Sequence, residues 1–392
     1  MATMAKLRAY RGPALFAYGF RPFFLFAAIY AGLIVPLWLA VFAGEFSLPT
    51  AFAPRDWHVH EMLFGYVGAV IAGFLLTAVP NWTGRLPIQG LPLAVLFSTW
   101  LAGRFAVSLS GEIGWLAALA LDSLFLLLLA AAAAREIVAG RKWSNLKVVG
   151  IISLLAVVNV AFHVEAHLEG LSEYSTRAGI AVVVALVGVI GGRIVPSFTR
   201  NWLARRVEGR MPIPFGRFDA VAMATSAIAL LVWIATPTGR VVAVALCLAG
   251  VLQLVRLARW AGDRTFPDRL VLILHVAYAF VPLGYFLTAL SALDLVAPSA
   301  GVHAWTGGAI GTMTLAVMTR ASLGHTGRPL SASRATQAIY LAVVGAAVTR
   351  VCASLEPSHA DVLLPIAGVA WTVAFLGFAA AYGPLLVSAR KA

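Results

Sequence analysis

Apolar runs of about 20 residues recur along the whole chain, and little else can be built from such a pattern. Each run is long enough to cross a hydrocarbon core of about 30 Å as a helix. Twelve can be counted, at 20–43, 58–79, 91–109, 113–134, 147–168, 178–196, 218–236, 240–258, 269–292, 302–319, 335–355 and 361–387. Only 11% of the 392 residues are charged, too few for the surface of a soluble globular protein. The expectation is an all-α polytopic membrane protein, a single membrane domain with no soluble module. The first run is too long, and too closely followed by a second, for a cleaved signal peptide. Cys247 and Cys352 both fall inside apolar runs and suggest neither a disulfide framework nor a thiolate metal site.

A net charge of +13 raises the question of nucleic acid, and its placement answers it. With the N-terminus inside, only Arg55, Arg104, Arg177, Arg240 and Arg350 of the 29 Lys and Arg fall on the outer side. Lys6, Arg8 and Arg11, the Arg200–Arg210 group, and Arg390 with Lys391 all fall inside. This asymmetry is the positive-inside rule. It predicts twelve helices with both termini cytoplasmic, membrane lipid as the surroundings, and no nucleic-acid partner.

The same topology puts His58, His60, His163, His167, His303 and His359 at the outer end. Histidine is the commonest metal ligand and a frequent haem ligand, and ionisable residues in membrane helices usually face a functional interior. Wet helix ends that tolerate imidazole are the blander explanation. His163 and His167 are four apart on one helix face, with Cβ atoms about 6 Å apart, which suits a compact ion or two separate roles. His58 and His60 are two apart and point in different directions, so each needs its own partner. His58, His163 and His167 are therefore candidates for a metal or a second haem. Asp122 and Glu165 are nearly the only carboxylates within the spans besides Glu61 at a helix mouth, and a proton pump crossing the whole membrane needs more.

An internal repeat selects a pair. HEMLFGYVGAVIAGFLLTAVPNWTGRLP begins at His60, and HAWTGGAIGTMTLAVMTRASLGHTGRPL begins at His303. Each histidine is followed at the same interval by Thr-Gly-Arg, at Thr83 and Thr326. AGLIVPLW aligns with YAFVPLGY, and RFAVSL with RVCASL, pairing Pro36 with Pro282 and Arg104 with Arg350. Three quasi-repeats of four helices follow, at about 1–140, 141–265 and 266–392. His60 and His303 become equivalent, the natural candidates for the two faces of one haem. Arg104 and Arg350 become candidates for its propionates, since a buried guanidinium needs an anion; snorkelling to lipid phosphate is the alternative.

FAYGFRPFFLFAA (16–28), WHVHEMLFGY (57–66), GFLLTAVPNWTGR (73–85) and GAIGTMTLAVMTRASLGHTGRPL (308–330) resemble the NnrS family. The resemblance spans the chain. It implies a bacterial inner-membrane protein associated with nitric oxide metabolism that contains haem and copper; the cofactors expected for this chain are a b-type haem and copper or non-haem iron. There is a looser architectural likeness to haem-copper oxidases and nitric oxide reductases, whose low-spin haem is held from the second and tenth of twelve helices. This sequence lacks their paired histidines on helix 7. The resemblance implies a role in handling or resisting nitric oxide. The reading drawn here is binding and reduction of nitric oxide, with Glu61, a carboxylate that would stand near a metal, as the proton-delivering catalytic candidate and a quinol or periplasmic cytochrome as donor. A transporter, or a sensor or electron-transfer protein without turnover, is the alternative. The orientation has a direct check. A C-terminal reporter that fluoresces only in the cytoplasm is expected to be bright, and a dark one contradicts the charge argument.

Overall fold

The computed structural model describes residues 10–206 and 208–389, so Lys6, Arg8, Arg390 and Lys391 lie outside the described residues. Its main elements are α1 (Phe20–Phe42), α2 (Pro54–Thr83), α3 (Leu91–Ser108), α4 (Trp115–Ala139), α5 (Leu146–Glu169) and α6 (Glu173–Leu203). They continue as α7 (Arg217–Ala235), α8 (Arg240–Ala258), α9 (Arg269–Ser291), α10 (298–325), α11 (Arg334–Leu355) and α12 (Ala360–Val387). Among the described residues, eleven helices are long and apolar enough to cross a membrane. The segment through α10 is not among them, because Gly and Thr stand where the others carry aliphatic side chains. The chain is thus an all-helical, multi-pass design.

The helices compact into two units. Unit 1 comprises 1–179, 321–329 and 378–392, and unit 2 comprises 180–320 and 330–377. In unit 1 an aromatic core joins α1, α3 and α4: Phe23 lies 5.8 Å from Phe97 and 5.7 Å from Phe125, ring centre to ring centre. Buried Arg21, from the FRPFF stretch, donates to the carbonyls of Leu386 (2.9 Å) and Ser388 (2.6 Å). It satisfies acceptors that the end of α12 leaves without helical partners. In unit 2 buried Arg256 of α8 pairs with Asp219 of α7 at 3.1 Å and donates to the Tyr278 hydroxyl at 2.8 Å. Tyr278 in turn donates to Gln253, and Gln253 to Ser226, each at 2.8 Å. These groups neutralise and satisfy one another within the unit.

Two helices are interrupted in the same way. α2 starts on Pro54, runs as α-helix to His60, widens to π-helix over Glu61–Tyr66, and resumes as α-helix from Val67. α10 starts on Pro298, runs to His303, widens over Ala304–Gly311 and resumes from Thr312. Proline suits a first helical position, where its missing N–H is not needed. A π-helical turn adds a residue to the ladder, shifts the side chains that follow and leaves carbonyls to outside donors; such turns gather at functional sites. The indole of Trp100 donates to the Gly65 carbonyl inside the first π-helical stretch, at 2.9 Å.

Close packing accompanies the second stretch. Trp305 lies 5.0 Å from Tyr285 and 5.3 Å from Trp233, and donates to the Val281 carbonyl at 3.0 Å. A Cβ on Gly284 would sit 2.2 Å from the Trp305 ring. Gly284→Ala is therefore expected to destabilise the protein by about 1–3 kcal/mol in detergent thermal unfolding. Gly345→Ala, whose added methyl meets nothing within 4 Å, is expected to be neutral or stabilising. Equal effects at the two positions contradict this packing.

Candidate metal centre in unit 1

The sequence requires a partner for each charge it places in an apolar helix, because an isolated charge is costly in low dielectric. Unit 1 meets that requirement with one cluster. Arg104 from late in α3 reaches Glu61 of α2 and Asp122 from early in α4. Its Nη1 lies 2.8 Å from both Glu61 oxygens, and its Nη2 donates to Asp122 Oδ1. Tyr30 of α1 donates its hydroxyl to Glu61. Antiparallel succession brings these positions to one end of the bundle, where the last turns of α5 add Asn159 and His163. Arg104, Asp122, Glu61, His60, Asn159 and His163 are all buried.

Asp122 is the hub. Its Oδ2 accepts from Asn159 Nδ2 (2.7 Å) and lies 3.1 Å from His60 Nε2 and 3.2 Å from His163 Nε2. His60 also faces Asn159 Oδ1 through Nε2 (2.9 Å) and Glu61 Oε1 through Nδ1 (3.0 Å). One guanidinium against two carboxylates leaves one negative charge uncompensated. A further cation belongs here, either imidazolium or a metal ion.

The donor set fits a metal. Each of His60, Asp122 and His163 offers a ligand atom, and those atoms lie within 4.8 Å of one another. With bonds of about 2.0–2.1 Å to one ion, adjacent N and O ligands stand roughly 2.9–3.4 Å apart for angles between octahedral and tetrahedral. The observed N···O separations of 3.1 and 3.2 Å fall in that range. Two imidazoles and a carboxylate suit copper, iron or zinc. Arg104 and Asn159 hold the Asp122 carboxylate from outside, as a metal site's ligands are commonly held.

A haem fits His60 less well. Besides its engaged nitrogens, its ring is packed by Phe64 at 5.1 Å, Phe52 at 5.3 Å, Phe162 at 5.4 Å and His163 at 4.9 Å. A macrocycle would have to displace these rings. The geometry at His60 thus favours an ion over the haem that its sequence position suggests. His303 lies in the other unit.

The remaining candidates are placed differently. His58 diverges from His60, as a spacing of two requires, and stacks on Trp38 at 4.2 Å. His167 stacks on Trp115 at 4.0 Å. The anions facing Arg104 are the chain's own Glu61 and Asp122. Half-buried Arg350 has no carboxylate within 4.0 Å among the described residues, and donates to Ser354 Oγ at 2.6 Å. Glu165 caps the start of α6, accepting from the amides of Tyr174 (2.8 Å) and Ser175 (2.7 Å). Sequence reasoning did not place Asp122, Asn159 or Tyr30 in the cluster with His60 and His163. An intramembrane carboxylate at 122 and the Asn159/His163 spacing of four were the available signals.

Bundled apolar helices around a buried His–Asp–Glu–Arg cluster define a multi-pass membrane protein with a metal-capable centre. The chain belongs to the NnrS protein family, whose family model matches residues 14–390. No curated protein and no solved structure matches it.

The charge balance has a measurable consequence. Arg104→Gln strands two buried carboxylates and is expected to cost about 3–5 kcal/mol in thermal unfolding. Adding Glu61→Gln should recover part of that loss. Arg350→Gln, which strands no carboxylate, should cost less than about 1 kcal/mol. Similar losses for the two arginines contradict the assigned pairing.

Proposed function

We propose that this protein binds nitric oxide within the bacterial inner membrane and reduces it to nitrous oxide at a metal ion held by His60, Asp122 and His163. The observation that carries the reading is the buried group of two imidazoles and a carboxylate with metal-compatible spacing. Membership in the NnrS family supports it, and the proposal includes a haem as second cofactor, as the resemblance of the sequence implies. In the same proposal α10 completes twelve crossings, arranged as three quasi-repeats with both termini cytoplasmic.

Nitric oxide is small, uncharged and soluble in lipid, so an apolar bundle does not exclude it. Two molecules of nitric oxide, two electrons and two protons give one of nitrous oxide and one of water. His60, Asp122 and His163 would hold a copper or iron ion, which would supply Lewis acidity and one-electron redox chemistry, with a quinol or a periplasmic cytochrome as the electron source. The chain's own residues do the rest. Arg104 and Asn159 hold Asp122 in place, and Phe52, Phe64 and Phe162 keep bulk water away from the imidazoles. Glu61, hydrogen-bonded to both Tyr30 and His60, holds and passes protons.

Metal analysis of the purified protein, alongside anaerobic nitric oxide consumption, tests this. Wild type is expected to carry stoichiometric copper or iron. Asp122→Asn and His163→Ala should each lower retained metal by roughly 10–100-fold and consumption with it. A metal-free wild type, or variants that keep both metal and consumption, contradicts the proposal and favours a transporter.

A further inference from the structure

We propose that unit 1 binds one anionic phospholipid of the phosphatidylglycerol class at the end opposite its metal-capable cluster. Arg85 and Arg135 hold the phosphate, and an acyl chain lies in a groove between α2 and α4. The site is independent of the metal reading above, and it gives the Thr83-Gly84-Arg85 segment a task.

The groove begins in the sequence. α4 reads LLLLAAAAAREI from Leu126, and the alanines at 130–134 remove side-chain volume from an otherwise leucine-rich helix. Across from them stand Val79 and Pro80 of α2, and Leu86 and Ile88 of the turn that follows it. With Ala132 and Ala133 these residues line about 260 Å³ of empty space. Leu86 is exposed and Ala132 half-buried, so the space opens to the surroundings. Just past it the two helices close on each other, where a Cβ on Gly140 would sit 2.6 Å from Cβ of Thr83. An apolar groove on a membrane helix gains dispersion contacts only when hydrocarbon fills it.

Charge selects the head group. Glu136 also lines the groove, and it is 94% buried, its exposure being 6%. Arg85 Nε donates to its Oε2 at 2.5 Å, and Arg135 donates to its Oε1 through Nη2 at 2.7 Å and Nε at 2.9 Å. The backbone amide of Arg85 donates to Thr83 Oγ1, which helps fix the turn that carries the guanidinium over the carboxylate. Two arginines thus share one carboxylate, and one positive charge is left at the mouth of the groove. Both side chains are exposed, and neither Arg85 Nη group nor Arg135 Nη1 donates a hydrogen bond among the described residues. Guanidinium groups presented in this way pair well with phosphate. Basic pockets between helices at the cytoplasmic surface are where anionic head groups bind, and the proposed topology puts this end there.

Two observations argue against other occupants. Both oxygens of Glu136 are engaged by arginine, so a zwitterionic lipid finds no acceptor for its ammonium here. Glu136 is fourteen residues from Asp122, roughly 21 Å along α4, so a quinol in this groove would stand far from the cluster it has to reduce.

The test uses the full-length protein in detergent, titrated with dioleoyl phosphatidylglycerol or dioleoyl phosphatidylcholine and followed by native mass spectrometry and thermal unfolding. Wild type is expected to retain one phosphatidylglycerol in preference to phosphatidylcholine and to melt higher with it. Arg85→Gln/Arg135→Gln should weaken that binding on the order of tenfold and erase the preference. Ala132→Leu fills the groove without touching a charge, should weaken binding severalfold, and keeps the test open where the double variant fails to fold. Arg141→Gln/Lys142→Gln removes the same charge just past the end of α4 and should leave binding unchanged. Equal binding of the two lipids by wild type overturns the proposal, as does an equal loss in the Arg141/Lys142 variant, which marks diffuse attraction to a basic surface. Unchanged binding in Ala132→Leu overturns the chain's place in the groove. Inorganic phosphate that stabilises as well as the lipid overturns the need for a chain, and displacement by a short-chain quinol gives the groove to quinol instead.

Discussion

An arginine buried in an apolar bundle has to be neutralised where it stands, and the architecture of unit 1 follows from how Arg104 meets that demand. Its guanidinium draws Glu61 and Asp122 to one end of α2, α3 and α4. The close approach is tight: a Cβ on Gly65 would sit 2.4 Å from Nη1 of Arg104. With two carboxylates and one arginine, the cluster carries a residual negative charge. His60 and His163 then converge on Asp122, and charge and geometry together call for a cation. Structural and chemical roles of these residues cannot be separated, because the carboxylate that neutralises the arginine is also the one that offers a ligand oxygen.

Much of this was legible in the chain. Apolar run length gave the helices, since a segment in lipid must satisfy its own backbone. The run at 91–109 corresponds to Leu91–Ser108 almost residue for residue, whereas 178–196 extends to Glu173–Leu203, because polar residues at its ends continue the helix. His60, His163, Glu61 and Arg104 were all marked by the cost of placing them in a membrane. Their mutual arrangement was not, because sequence spacing reports neighbours on one helix and Asp122 meets His60 and His163 across helices. Tyr30 and Asn159 carry no charge and so gave no warning. The haem expected at His60 came from repeat position, which is blind to the phenylalanines that surround its ring.

The repeat between α2 and α10 reaches further than its residues. Both helices start on proline, reach a histidine after two turns or fewer, and widen into π-helix at the next residue. Periodicity analysis does not reveal such a turn. On this shared backbone the two segments differ in chemistry: Glu61 and Phe64 close one around ionic contacts, and Ala304 and Gly307 leave the other open. The duplicated backbone thus carries charged and aromatic side chains beside the first histidine and small ones beside the second.

In the proposed function His60, Asp122 and His163 surround one ion. X-ray absorption at the metal edge of the purified protein examines that first coordination shell directly. Nitrogen and oxygen scatterers are expected at about 2.0–2.1 Å, with the outer-shell scattering of two imidazoles that falls away in Asp122→Asn. A sulfur shell, or a spectrum without imidazole scattering, would contradict it.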